Sequence, residues 1–146
     1  MNLCFVEFAI ASEEQFRQLE AVVAALCEAK KTNLFPPAAY WLDFFDAKAT
    51  SFFWHPTEPE FKDWKRRWFA TPVEERWNEQ TLETPWDFDS MIGAFEDGDY
   101  ELLGCHRLSD TVARLNFSPY GSPYGGTGCM QALIEAFGHQ VTSVLD

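Results

Sequence analysis

Basic side chains are scarce in this chain. Eleven Lys and Arg stand against 23 Asp and Glu, a net charge of −12. A phosphate backbone is bound by Lys and Arg that release its counterions. The balance therefore argues against nucleic acid and for a soluble protein that attracts basic partners. Histidine is scarcer still, with only His55, His106 and His139. No two of them stand four apart, and Cys4, Cys27, Cys105 and Cys129 form no C-x-x-C pair, so the spacing of a metal site is missing. Cys105 and His106 are adjacent, which on a strand points them to opposite faces. No apolar run approaches the ~20 residues that span a bilayer. The opening Met-Asn-Leu-Cys-Phe-Val-Glu has no basic n-region, no cleavable apolar stretch, and no apolar segment ahead of Cys4 for a lipoprotein signal. The expectation is a cytoplasmic protein with reduced thiols, no cofactor and no membrane contact.

Apolar residues are plentiful, at 47% with 16% aromatic. That composition folds, since disorder needs low hydrophobicity with high charge. The length of 146 residues predicts one domain, 1–146. Leu3 to Ile10 alternates as a strand, with Cys4, Val6, Phe8 and Ile10 on one face and Glu7 on the other. Ser12 opens a helix with a capping box completed by Gln15. Its buried stripe is Phe16, Leu19, Val23, Leu26 and Cys27, and it ends near Lys30-Lys31-Thr32. Residues 33–98 differ in character. Thr57, Thr71 and Thr84 each precede an early proline and an acidic residue, which predicts helices at about 58–69, 72–80 and 85–97. A further helix is expected near 37–47. After Gly98 the period turns to two: Tyr100–Arg107, a turn at Ser109-Asp110, and Thr111–Phe117. A glycine-rich loop, a helix from Gly128 to Phe137 ended by Gly138, and a last strand at 140–145 complete the chain.

This order predicts an α+β fold, a ferredoxin-like split β-α-β antiparallel sheet built from residues 1–32 and 99–146. Two helices cover one face. The helical, aromatic-rich insertion 33–98 is expected to bury its tryptophans against the other face. A competing arrangement makes 90–95 a strand of a three-stranded meander, with Asp97-Gly98 as its hairpin turn.

The loop Ser118-Pro119-Tyr120-Gly121-Ser122-Pro123-Tyr124-Gly125-Gly126-Thr127-Gly128 offers the one local geometry that looks like a site. Backbone N–H groups at a helix start attract anions, which singles out Gly125, Gly126, Thr127 and Gly128. Gly121 and Gly126 have P-loop spacing, but Thr127 and Gly128 occupy the slots that need Lys and Ser/Thr. The plainer reading is a tight connection between strand and helix. Cys129 falls in the first turn, where a thiol is activated, with His106 as the candidate base; the plainer reading is a core cysteine. From Glu74 to Glu101 there are ten acids and one basic residue, Arg76. This is either a solvated acidic face or a patch for a basic partner. Lys62, Lys65, Arg66 and Arg67 form the basic cluster, read as the polar side of an amphipathic helix.

Gly98-Asp99-Tyr100-Glu101-Leu102-Leu103, Pro123-Tyr124-Gly125-Gly126-Thr127 and Ala132-Leu133-Ile134-Glu135-Ala136-Phe137-Gly138 together resemble the C-terminal part of small bacterial cytosolic proteins of toxin–immunity type. The resemblance involves no catalytic motif, and it implies inhibition of a partner by occlusion. Two functions follow as expectations. The first is a non-enzymatic acidic module that binds a basic protein through Asp87, Asp89, Glu96, Asp97 and Asp99. The alternative is a small enzyme or anion-binding protein built on the glycine-rich loop with Cys129 and His106. A homodimer through exposed insertion aromatics is a third possibility.

Overall fold

The computed structural model describes residues 3–146; Met1 and Asn2, part of the N-terminal reading, lie outside the described residues. The chain is a mixed α+β structure around one four-stranded antiparallel sheet. Strand β1 is Cys4–Ala9, β2 Tyr100–Arg107, β3 Val112–Pro119 and β4 Gln140–Leu145. Their order across the sheet is β2-β3-β1-β4, and β1 pairs antiparallel with both β3 and β4. Alternation sets the faces: Cys4, Val6 and Phe8 are buried on β1, and Ala113, Leu115 and Phe117 on β3. On the other face, Glu7 lies opposite Arg114, whose Nε donates to Glu7 Oε1 at 2.9 Å. The Arg114 guanidinium also lies 3.8 Å from the centre of the Phe5 ring.

Helix α1, Glu13–Thr32, starts at Ser12 as its sequence requires. The Ser12 hydroxyl accepts from the Gln15 N–H, while Gln15 Oε1 takes the Ser12 hydroxyl proton. Asn33 ends the helix in the left-handed region. Phe16, Leu19, Val22, Val23 and Leu26 press its stripe into the core. Helix α6, Gly128–Ala136, adds Met130, Leu133 and Ile134 on the same side of the sheet. Each such side chain contributes about 2 kcal/mol of hydrophobic stabilisation.

The helices of the insertion depart from expectation in three respects. The helix expected near 37–47 is two short ones, α2 at Ala38–Leu42 and α3 at Ala47–Ser51, divided by an N-cap at Asp46. Helix α4, Glu58–Ala70, has the Thr57–Glu60 capping box. The helix expected at 72–80 is absent: Thr71 terminates α4, and only 3-10 turns form at Val73–Glu75 and Gln80–Leu82. Helix α5 is Phe88–Asp97, shorter than 85–97 and capped by Asp87 instead of Thr84. The cause is a backbone bridge. The Trp54 N–H donates to the Trp86 carbonyl, and the Phe88 N–H to the Trp54 carbonyl, which holds 86–87 extended. Because 90–95 is helical, the three-stranded meander is excluded.

The insertion does not cover the open face of the sheet. Its apolar residues pack on the helical layer: α5 against α1 and α6, and α3 against α6. Phe45 touches Phe88 and Phe137 with ring centroids 5.0 Å apart in each pair, and Trp41 is fully buried. The open face instead keeps Glu7, Arg114 and Asn116 at intermediate exposure. Polar side chains suit that face and would resist a second apolar layer. Helix α4 contributes no buried residue, so its Phe61–Trp64–Trp68 stripe forms an outboard stack and not part of the core.

Candidate functional site

Three elements meet at the end of α1. Helix α5 runs out at Asp97, Gly98 turns the chain, and β2 begins at Tyr100. The last-turn lysine of α1, Lys30, reaches this junction. Its Nζ donates to the carbonyls of Phe95 and Gly98, each at 2.8 Å, and sits 4.3 Å from the centre of the Tyr100 ring. An ammonium here neutralises the negative end of α5 and satisfies its last carbonyls. Burial pushes the Lys30 pKa down, and Asp99 and Asp97 are among the groups that oppose this.

Beside this junction lies a cleft of about 580 Å³. Its walls include Glu28 and Lys31 of α1, Glu96 of α5, and Tyr100 and Glu101 of β2, with Tyr120 from the glycine-rich loop. That loop is sewn to the same place. The Tyr120 N–H donates to the Asp99 carbonyl, and the Asp99 N–H to the Tyr124 carbonyl. Gly125 and Gly126 have φ of 106° and 79°, a backbone that side chains rarely adopt. A Cβ at Gly125 would stand 3.6 Å from the Gly98 Cα.

The structure gathers part of the acidic set and disperses the rest. Glu96, Asp97 and Asp99 are exposed together at the cleft end of α5. Asp87 and Asp89 lie at the opposite end, about 15 Å away along a ten-residue helix. Asp87 is committed there, its Oδ2 accepting from the Ser90 N–H and hydroxyl. Glu28 was not picked out from sequence, Glu101 entered there only as the end of the acidic run, and Lys30 only as the basic end of its helix. Glu28 and Lys30 come from α1 and Glu101 from β2, and the packing of α1 against β2 brings them together.

The loop residues Gly125, Gly126, Thr127 and Gly128 show no anion-binding character beyond the helix start. The Thr127 hydroxyl accepts from Gln131 Nε2 at 2.8 Å and makes no cap bond to the backbone. The Asp99 carboxylate stands near the loop, 4.0 Å from a Cβ built on Gly121. A negative charge there repels an anion.

Cys129 and His106 are not brought together. Cys129 is 3% exposed, its Sγ 3.5 Å from the hydroxyl of buried Tyr100, on the helix-covered side of the sheet. His106 is exposed and pairs with Arg114, on the open side. The one-residue shift between Leu102 and Gly104, where φ is 111°, sets this facing. Burial raises the Cys129 thiol pKa, the reverse of an activated nucleophile. It also raises those of Cys27, to about 11, and Cys105, to about 12.

Among the described residues, no group of three or more His, Cys, Asp or Glu is placed to hold a metal ion. Nor is any described helix long and apolar enough to cross a membrane. No protein family, characterised protein or solved structure matches the chain.

Proposed function

We propose that this chain is a non-enzymatic binding module that receives a basic protein at the acidic cleft, in the manner of an immunity protein that blocks its partner by occlusion. One observation carries the reading. Glu96, Asp97 and Asp99 gather where Glu28 and Glu101 line a cleft, and the inner cation, Lys30, is already bonded to two carbonyls. The carboxylates thus keep a surplus of negative charge beside a concave surface, which speeds and orients encounter with a cationic partner. The fold proposed with it is the ferredoxin-like split β-α-β arrangement, supported by the strand order β2-β3-β1-β4 with α1 and α6 on one face. A cytoplasmic location fits the four free cysteines.

The test is a pull-down from native lysate at low and high salt, run in parallel with the triple variant Glu96→Lys, Asp97→Lys, Asp99→Lys. Asp89→Lys at the far end of α5 is the control. The expected result is a basic protein retained at low salt by the parent and the control. The triple variant should bind it about tenfold or more weakly, because charged rims govern encounter and its salt dependence. Equal retention by the triple variant would refute the assignment.

A further inference from the structure

A second cleft opens on the insertion, between α4 and the segment 81–85, and it shares no lining residue with the acidic cleft beside β2. Its volume is about 510 Å³, the size of a small-ligand site. Trp54, Trp64, Pro59 and Pro85 give it apolar surface, with the two indole rings 5.4 Å apart. Its walls are clasped together. Trp64 Nε1 donates to the Leu82 carbonyl at 2.9 Å, and Arg67 Nη1 to the Thr81 carbonyl at 2.7 Å. The Trp54 backbone is bonded to Trp86 and Phe88. The cleft is therefore formed before any ligand arrives, which removes much of the cost of ordering it.

The polar groups of the lining are sorted by sign. The indole and guanidinium donors are engaged: besides the two clasps, Arg67 Nε is held by Asp63 Oδ2 at 3.1 Å. Asp63 is neutralised in turn, since its Oδ1 accepts from Arg66. The remaining carboxylates are free. Glu83, on one wall, enters no ion pair among the described residues. Glu60, on the other, gives Oε1 to the Thr57 N–H and hydroxyl, and its Oε2 has no partner among the described residues. The bonds from Thr57 lower the Glu60 pKa, which keeps the group ionised at neutral pH. We propose that this cleft binds a small organic cation, an ammonium group carried on an apolar body. The Glu60 and Glu83 carboxylates supply the charge for the ammonium, a group that only donates hydrogen bonds. The indole and proline surface takes the body. An anion would meet two uncompensated carboxylates, and a neutral ligand would gain nothing from them, so charge selects the class. The net charge of −12 raises the local concentration of such cations.

A nitrogen–proton correlation titration of the intact chain, read at the assigned tryptophan indole signals, tests this with phenethylammonium as the probe. Phenethyl alcohol is its neutral counterpart and phenylacetate an anionic one. The ammonium should give saturable shifts of the Trp54 and Trp64 signals. The alcohol should bind about tenfold or more weakly for want of the charge, and phenylacetate should not bind. In the double variant Glu60→Gln, Glu83→Gln the ammonium dissociation constant should rise about fivefold or more. Glutamine serves in a capping box as glutamate does, and Glu83 is exposed, so this variant is expected to keep the parent's thermal midpoint. Absence of a saturable shift with the ammonium overturns the proposal. Equal binding of the alcohol overturns it too, because the cleft is then a merely apolar surface. So does an unchanged dissociation constant in the double variant, which would place the cation elsewhere, for example in the acidic cleft beside Tyr100.

Discussion

His139 is a residue whose chemistry is constrained by burial. It is 4% exposed, 5.3 Å from Phe8 and 6.4 Å from Phe16 between ring centroids. Its Nδ1 accepts the Ala11 N–H at 3.0 Å, and its Nε2 has no hydrogen-bond partner. Protonating Nδ1 would break the first contact and bury a charge. Burial accordingly lowers its pKa in the folded state. The unfolded chain then binds more protons than the folded one from an ordinary pKa of about 6.5 downwards, so stability falls as pH falls through that window. Above about pH 7 the group is neutral in both states and the contribution is flat. Urea midpoints at about pH 7.5 and pH 5.5 should therefore differ in the parent, and less so in His139→Phe, although that variant starts lower for want of the Ala11 acceptor. The comparison between the two chains removes the effect of relieving the −12 charge, which both share. An identical pH dependence in the two would show that His139 does not titrate with unfolding.

Helix α5 shows how an acidic residue can serve structure. Asp87 binds the first turn through Ser90 and holds the helix start set by the Trp54 bridge. Asp87→Ala should cost about 1 kcal/mol of stability while leaving partner binding at the cleft unchanged. A thermal melt and a binding curve on the same sample distinguish the two roles; loss of binding with no loss of stability would return Asp87 to the recognition surface. The same helix marks the limit of what local sequence can say. Alternation specified β1 and β3, because each buries one face and so writes a period of two; the 140–145 run matches β4, which buries no residue. The Ser12 and Thr57 caps were equally legible, since their bonds close within three residues. Thr71 and Thr84 carry the same local signal and fail. A proline and an acid after threonine suit a helix start, but Thr71 ends the preceding helix and Trp86 is held extended by a strand-like contact 32 residues away in the chain. The acidic cleft was half legible for the same reason. Glu96, Asp97, Asp99 and Glu101 are neighbours in sequence, whereas Glu28 joins them only because α1 lies alongside β2.

At the scale of the whole molecule, stability is unevenly distributed. The sheet and its helices share one core, in which Val6, Phe8, Leu19, Leu115, Phe117 and Met130 are inaccessible. The outboard segment from Trp54 to Trp86 is anchored differently. Leu82 is its one buried residue among those described, and Trp77 and Phe69 stand 82% and 72% exposed. Its order comes from stacking, with Trp64 and Trp68 rings 5.3 Å apart, and from polar clasps. Trp64 Nε1 donates to the Leu82 carbonyl, Arg67 to the Thr81 carbonyl, and Arg76 to those of Trp68 and Thr71. Exposed pairs of this kind contribute little each, about 0.5–1.5 kcal/mol for an aromatic contact and less for the surface ion pairs along α4. Such a segment opens locally at a free energy below that of global unfolding. In native-state hydrogen exchange the amides of α4 should therefore exchange well before those of β1 and β3, with little response to low denaturant. Trp68→Ala should speed α4 exchange further without moving the global midpoint by more than about 1 kcal/mol, because no residue of the shared core loses a neighbour. If α4 and the central strands exchange together, the aromatic stack is coupled to the core, and the outboard segment belongs to the same cooperative unit as the sheet.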